Sequence, residues 1–226
     1  MLQQDYILRM IEKFAQLVAK IVGLTKGEDF DSAKEVIAKS TDELVGMTPE
    51  EVCQQSELKL VGKMLGGKQT LEGRARCFVL VALLNEAGNL RSRLGDEDRS
   101  RQFKLKALNI LLAVRNFAEE DVVPDFVPKV DDLVAQLKED GIPPRTLASL
   151  MQHYEFIGVF SRAEDCLYEL IEIVPDKRPA LHLGAAFYHR LLAKSDIELE
   201  DGKLPRVELE SGLADLERKY ASVPSA

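Results

Sequence analysis

Three histidines, three cysteines and a few carboxylate clusters are the residues in this 226-residue chain whose types could support chemistry. His182 and His189 are seven positions apart, which on a helix puts them on one face about two turns, or ~10 Å, from each other. Imidazole–metal bonds are ~2 Å long, so that spacing does not suit one shared metal ion. His153 stands beside Tyr154 and could fall on either surface of its helix. Cys53, Cys77 and Cys166 are widely separated, lack a CxxC pairing and have no histidine next in sequence. They read as buried thiols of a reducing compartment. Asp96, Glu97 and Asp98 form a carboxylate run, but at the start of a helix such residues compensate the helix dipole. Glu164-Asp165 and Asp131-Asp132 are adjacent pairs that point to different sides of a helix. General acid–base work needs carboxylates opposed across a cleft, and no pair here is nominated for it. The segment "GKMLGGKQT" at 62–70 lacks the Ser or Thr directly after Lys that a phosphate loop requires, and has no strand before it. No catalytic residue, metal ligand or cofactor site is assigned on these grounds.

The elements that would have to position any such residue are helices. The chain is 46% apolar and 30% charged, an ordinary globular balance. Tryptophan is absent and aromatics reach only 6%, so Leu, Ile, Val and Ala must build the core, and these fit helix faces well. The net charge of −8 opposes unselective nucleic-acid binding, which needs a positive field. No 18-residue uncharged apolar run exists, so no membrane span is expected. With no leader pattern at the start, the expected location is cytoplasmic. No window alternates apolar and polar residues as a strand would.

Residues 2–24 read as a long amphipathic helix with Ile7, Ile11, Phe14, Val18 and Ile21 on one stripe. Its opposite face carries too few cations for strong attraction to a membrane surface, so packing on the second helix or on another copy is expected. Helices follow at Phe30–Val45, from Thr48 toward Gly66-Gly67, from about Thr70 to Leu94, from the "GDED" run to Phe117, and at Val130–Leu137. Two more divide at Gly158; then come Ala180–Ala193, a polar loop "SDIELEDGKLP", a last helix Val207–Tyr220 and a loose tail over 221–226. A single helical domain over 1–226 is expected, with any sub-boundary near 118–143.

The window Pro144–Asp176 holds Leu147, Leu150, Tyr154, Gly158, Phe160, Ala163, Leu167, Leu170 and Pro175 in an order that a close-packed helical hairpin explains. Small residues let two helices approach, a glycine relaxes the turn, and a proline ends the second helix. Position by position the window resembles a tetratricopeptide repeat, with Met151 where that family prefers a small residue. Phe30, Ala33 and Ile37, then Ala107 and Leu111, then Leu181, Ala185 and Tyr188 are partial echoes of the same spacing. The resemblance implies an all-α fold of stacked antiparallel helical hairpins, a tetratricopeptide-like α-solenoid with irregular repeats. The whole chain also resembles a bacterial family of unknown function with such helices, through its start "MLQQDYILRMIEKFAQLVAKI" and through "HYEFIGVFSRAEDCLYEL".

In tetratricopeptide arrays the first helix of each pair lines the concave face. The resemblance therefore implies a groove formed by Arg145, Gln152, Glu155 and Phe156, continued by His182, His189 and Arg190. Basic groups beside an aromatic suit a protein or peptide partner of acidic character. Ala148 and Gln152 replace the Lys and Asn of the family's carboxylate clamp, which speaks against recognition of a peptide C-terminus. The expected function is that of a protein- or peptide-binding scaffold. The alternative is a small-molecule binder or enzyme with a pocket between helices. Self-association into a homodimer is a third option.

Overall fold

The first helix, α1 (Leu2–Lys26), buries Val18 and Ile21 and runs into a turn at Gly27-Glu28. In the computed structural model the described backbone covers residues 2–66, 71–115 and 123–222, and the described side chains cover 9–66, 71–115 and 123–221. The described backbone forms twelve α-helices and one short 3-10 turn, with no strand. The expected sites at Gly67–Thr70, the end of the sixth helix at Phe117, and the tail from 223 lie outside the described residues.

The chain divides into two compact units, Met1–Gly141 and Ile142–Ala226. In the first, α2 (Phe30–Val45) begins at Asp29, whose Oδ1 accepts from Ser32 N, and ends at Gly46, which takes a left-handed backbone with φ of 71°. The last carbonyls of a helix have no partner within it. Here Arg76 Nη2 donates to Leu44 O at 2.6 Å and Gly46 N to Asp42 O at 2.7 Å. A capping box follows: Thr48 and Glu51 bond reciprocally and open α3 (Pro49–Gln54).

The single third helix expected from the sequence is two helices, α3 and α4 (Glu57–Leu65), broken at Gln55-Ser56. The reason is tertiary. Lys106, nearly buried, donates to Gln55 O at 2.7 Å and to Glu57 Oε1 at 2.6 Å, and so fixes both sides of the break from another helix.

The axis of the first unit is α5 (Leu71–Arg93). Fifteen of its residues are buried, more than a single apolar face of a 23-residue helix provides. Four helices, α1, α2, α4 and α6 (Glu97–Arg115), pack around it, and α6 does so most extensively. Gly88 allows the closest approach: a Cβ there would stand 2.8 Å from Lys104 Cγ and 3.1 Å from Ser100 O. Asp96 Oδ1 accepts from Arg99 N at 3.3 Å, so this carboxylate run does cap a helix. The short helix α7 (Val130–Leu137) packs Val130, Leu133 and Leu137 inward and lies against α6.

The second unit opens with the hairpin α8 (Pro144–Phe156) and α9 (Phe160–Ile173), which pack closely. Leu147, Leu150, Met151 and Tyr154 from one helix meet Phe160, Ala163, Leu167 and Leu170 from the other in the core. Gly158, at φ of 76°, turns the chain between them. Met151 is fully buried, so the hairpin accommodates a large residue where a small one was expected. The helix α10 (Arg178–Leu192) follows and pairs chiefly with α12 (Arg206–Ser222).

The stretch expected as a polar loop between these two contains a further helix, α11 (Asp196–Asp201). It is nucleated by a second capping box, Ser195 with Glu198. Its end is wedged against the hairpin: a Cβ on Gly202 would stand 2.2 Å from Phe160 Cδ2, and Gly202 O accepts from Ser161 N at 3.1 Å.

Ala163 is fully buried at the hairpin crossing. Ala163→Glu should therefore cost about 3 kcal/mol or more, through overpacking and an unpaired buried charge. Thermal denaturation followed by circular dichroism should show a large drop in Tm; an unchanged midpoint would mean that the two helices do not need this close contact.

Candidate functional site

On α8 the exposed residues Arg145, Gln152 and Phe156 recur at helical spacing, with half-buried Glu155 beside them. On α10, His182, His189 and Arg190 are exposed in the same way. The two stripes meet at one place. Arg190 Nε and Nη2 donate to Glu155 Oε1 and Oε2 at 2.6 and 2.8 Å, a two-point fork between guanidinium and carboxylate. The Arg190 guanidinium is held above its ordinary pKa by this hydrogen-bonded carboxylate. Both residues sit near the C-terminal ends of their helices. Phe156 remains 45% exposed beside the pair, with Ile157 following at 43%. Arg145, His182 and His189 are not drawn into this contact. The three histidines do not converge, His153 being buried inside α8. Among the described residues no three His, Cys, Asp or Glu side chains gather as metal ligands would.

Behind that face lies a polar group that the sequence reading passed over. Tyr188 Oη donates to Glu164 Oε1 at 2.5 Å and lies 3.4 Å from Tyr168 Oη. Desolvation raises the pKa of Glu164, partly offset by that hydrogen bond. Desolvation, and then the bond to Glu164, raise that of Tyr188. Gly212 of α12 leaves room for the pair, since a Cβ there would stand 2.5 Å from the phenol oxygen. The contact joins α9, α10 and α12.

Two clefts among the described residues of the first unit are ligand-sized. One, of about 450 Å³, is lined by α3, α4 and α6 with Glu50, Cys53, Glu57, Arg99 and Lys106. Its charges are engaged: Lys106 with Glu57 inside the cleft, and Glu50 with Arg91 at 3.0 Å and Arg99 with Asp96 at 3.6 Å beyond the lining. Burial pushes the Cys53 thiol up to about 11. A thiol so placed is protonated at neutral pH and is not a nucleophile.

The other cleft, of about 370 Å³, lies between α1, α5 and α6 and is lined by Val22, Thr25, Lys26, Glu86, Asn89, Ser92, Arg93 and Lys104. Glu86 is only 8% exposed. Its Oε1 accepts from Asn85 Nδ2 at 3.0 Å and Asn89 Nδ2 at 3.1 Å. Desolvation nevertheless raises its pKa above the ordinary value, more than these bonds and nearby Lys104 and Lys26 lower it. Lys104 moves the opposite way, lowered by desolvation against the pull of Glu97 and Glu86. An acid shifted up and a base shifted down, in one cleft, form the kind of constellation that concentrates at functional sites. The sequence carries a signal for it: Glu86 is the only acid between Glu72 and Asp96, inside the otherwise apolar run that forms α5.

Removing the charge of Glu86 should stabilise the fold at neutral pH. A raised folded pKa means that the native state holds its proton more tightly than the unfolded chain, so stability falls as pH rises from near 4.5 through the folded value. Glu86→Gln keeps both asparagine contacts and should raise Tm by a few degrees at pH 7, with no difference from wild type below the ordinary carboxylate range. Thermal melts over a pH series would read this directly.

Cys77 and Cys166 are also pushed up by burial, each to about 12. All three thiols should therefore resist an aromatic disulfide reagent at pH 7 in the native protein and react quickly once it is unfolded. Rapid titration of a native thiol would show a local opening that the structure does not contain.

Comparison with known proteins places the chain. A family described as "Family of unknown function (DUF6483)" matches residues 1–221, so the chain belongs to that family. No curated protein and no solved structure matches it.

Proposed function

We propose that this protein is a peptide-binding scaffold whose contact surface is formed by the exposed stripes of α8 and α10. The observation that carries the reading is the Glu155–Arg190 fork. It links the C-terminal ends of α8 and α10, which supports reading the two as successive first helices of a tetratricopeptide-like array. The exposed stripes Arg145–Gln152–Phe156 and His182–His189 then flank a shared surface with an aromatic anchor. Because Glu155 already neutralises Arg190, a partner would meet the exposed imidazoles and the Phe156 ring, and a mildly acidic extended segment is the best fit. The fork itself contributes little stability, since Arg190 is half exposed. Its role is to hold the surface in one arrangement before a partner arrives.

A display library of random peptides, panned on the purified chain, tests this. The expected outcome is enrichment of acidic sequences carrying an apolar residue, with loss of at least tenfold in affinity for Phe156→Ala and for the pair His182→Ser with His189→Ser. Enrichment that is unchanged in both variants, or absent altogether, would rule out this face as the binding surface.

A further inference from the structure

We propose that the cleft between α1, α5 and α6 of the first unit binds a small phosphorylated molecule, with Lys26, Arg93 and Lys104 holding the phosphate. The site is independent of the α8–α10 face.

Three cations and one carboxylate line the cleft. A second carboxylate, Glu97, acts on Lys104 from beside it and accepts from Ser92 Oγ at 2.9 Å. The local balance is thus one positive charge in excess, in a chain of net charge −8. A phosphomonoester carries close to two negative charges at neutral pH, so it gains more from three cations than a single carboxylate does.

Thr25 Oγ1 is spent on Ile21 O at 2.9 Å and Ser92 Oγ on Glu97, while Asn89 Nδ2 gives one of its two hydrogens to Glu86. The cations are different. Among the described residues no acceptor lies within hydrogen-bond distance of Lys26, Arg93 or Lys104, whereas Lys106 and Arg91 on the same two helices are both paired. Recognition in this cleft therefore falls chiefly to the three cations, with one N–H of Asn89 beside them. Arg93 offers a planar fork suited to two phosphate oxygens, and the lysines act as point charges.

The fold makes room for Lys104. Its stem crosses α5 over Gly88, where a Cβ would stand 2.8 Å from Cγ. The ammonium is thereby brought into the cleft, partly desolvated, rather than left on the outer surface of α6. A desolvated lysine without a hydrogen-bond acceptor costs stability, and such costs are typical of groups kept for binding. At about 370 Å³ the cleft also exceeds what inorganic phosphate fills, so the phosphate is one end of a larger molecule.

The test uses the full chain with inorganic phosphate, glycerol 2-phosphate and succinate as probes, each against sodium chloride of equal ionic strength to remove general screening. Both phosphates should raise Tm and shift the backbone amide resonances of Lys26, Arg93 and Lys104, with the ester binding more tightly than the bare ion. Lys104→Met and Arg93→Gln should each weaken binding about tenfold or more. The methionine variant should melt no lower than wild type, which separates loss of binding from loss of fold. The proposal is overturned if neither phosphate acts beyond the chloride control, if binding survives in both variants, or if succinate binds as tightly as the ester.

Discussion

The first unit depends on one constraint: α5 has almost no solvent face. A helix buried on all sides must be surrounded, so α1, α2, α4 and α6 take their positions from it. Fifteen buried residues also leave few places to put a polar group, and those that occur are mostly paired, although Asn85 Oδ1 is buried without a partner among the described residues. Asn85 and Asn89 donate to Glu86. Arg76, emerging at the side of α5, closes the end of α2. The cleft with its shifted acid and base follows from the same burial, because the helix that organises the core carries a carboxylate through it.

The second unit solves its packing differently. Its helices approach through missing side-chain atoms rather than around one central rod. Gly184 of α10 lies under Leu167 and Leu216, each within about 3 Å of where a Cβ would be. Gly212 makes space for the Tyr188–Glu164 bond, and Ala163 for the α8–α9 crossing. These contacts leave the outward stripes of α8 and α10 free to be polar or aromatic, because neither stripe is needed for the core. Phe156 can then stay partly exposed at little structural consequence.

Local signals made most of the helices legible in the sequence. Phe30–Val45 and Val130–Leu137 coincide with α2 and α7, since Asp29 and Gly46 mark the first and Val130, Leu133 and Leu137 the second. The hairpin at Gly158 was legible for the same reason: a left-handed turn, a small residue and apolar spacing all lie within one short window. The break at Gln55-Ser56 was not, because a lysine some fifty positions away enforces it. Helix α11 could have been found from Ser195 and Glu198, whose capping-box spacing is a local signal; the density of charged residues around it suggested a loop instead. Of the residues nominated for a groove, Glu155 and Arg190 are joined by a two-point fork. The α1–α5–α6 cleft was beyond reach, since Lys26, Glu86 and Lys104 become neighbours only through the packing of three helices.

The short helix between α10 and α12 has a consequence for anyone altering this protein. Hydrophilic stretches between helices usually absorb tags, epitope insertions and circular-permutation breakpoints. Here Gly202 is clamped to the Phe160 ring and its carbonyl is engaged by Ser161, while Arg206 bonds to the carbonyls of Leu192 and Lys194 across the base of the segment. There is no slack in this connection to accept extra chain. Despite its surface-like composition, it behaves as a clasp whose length is fixed by what it fastens.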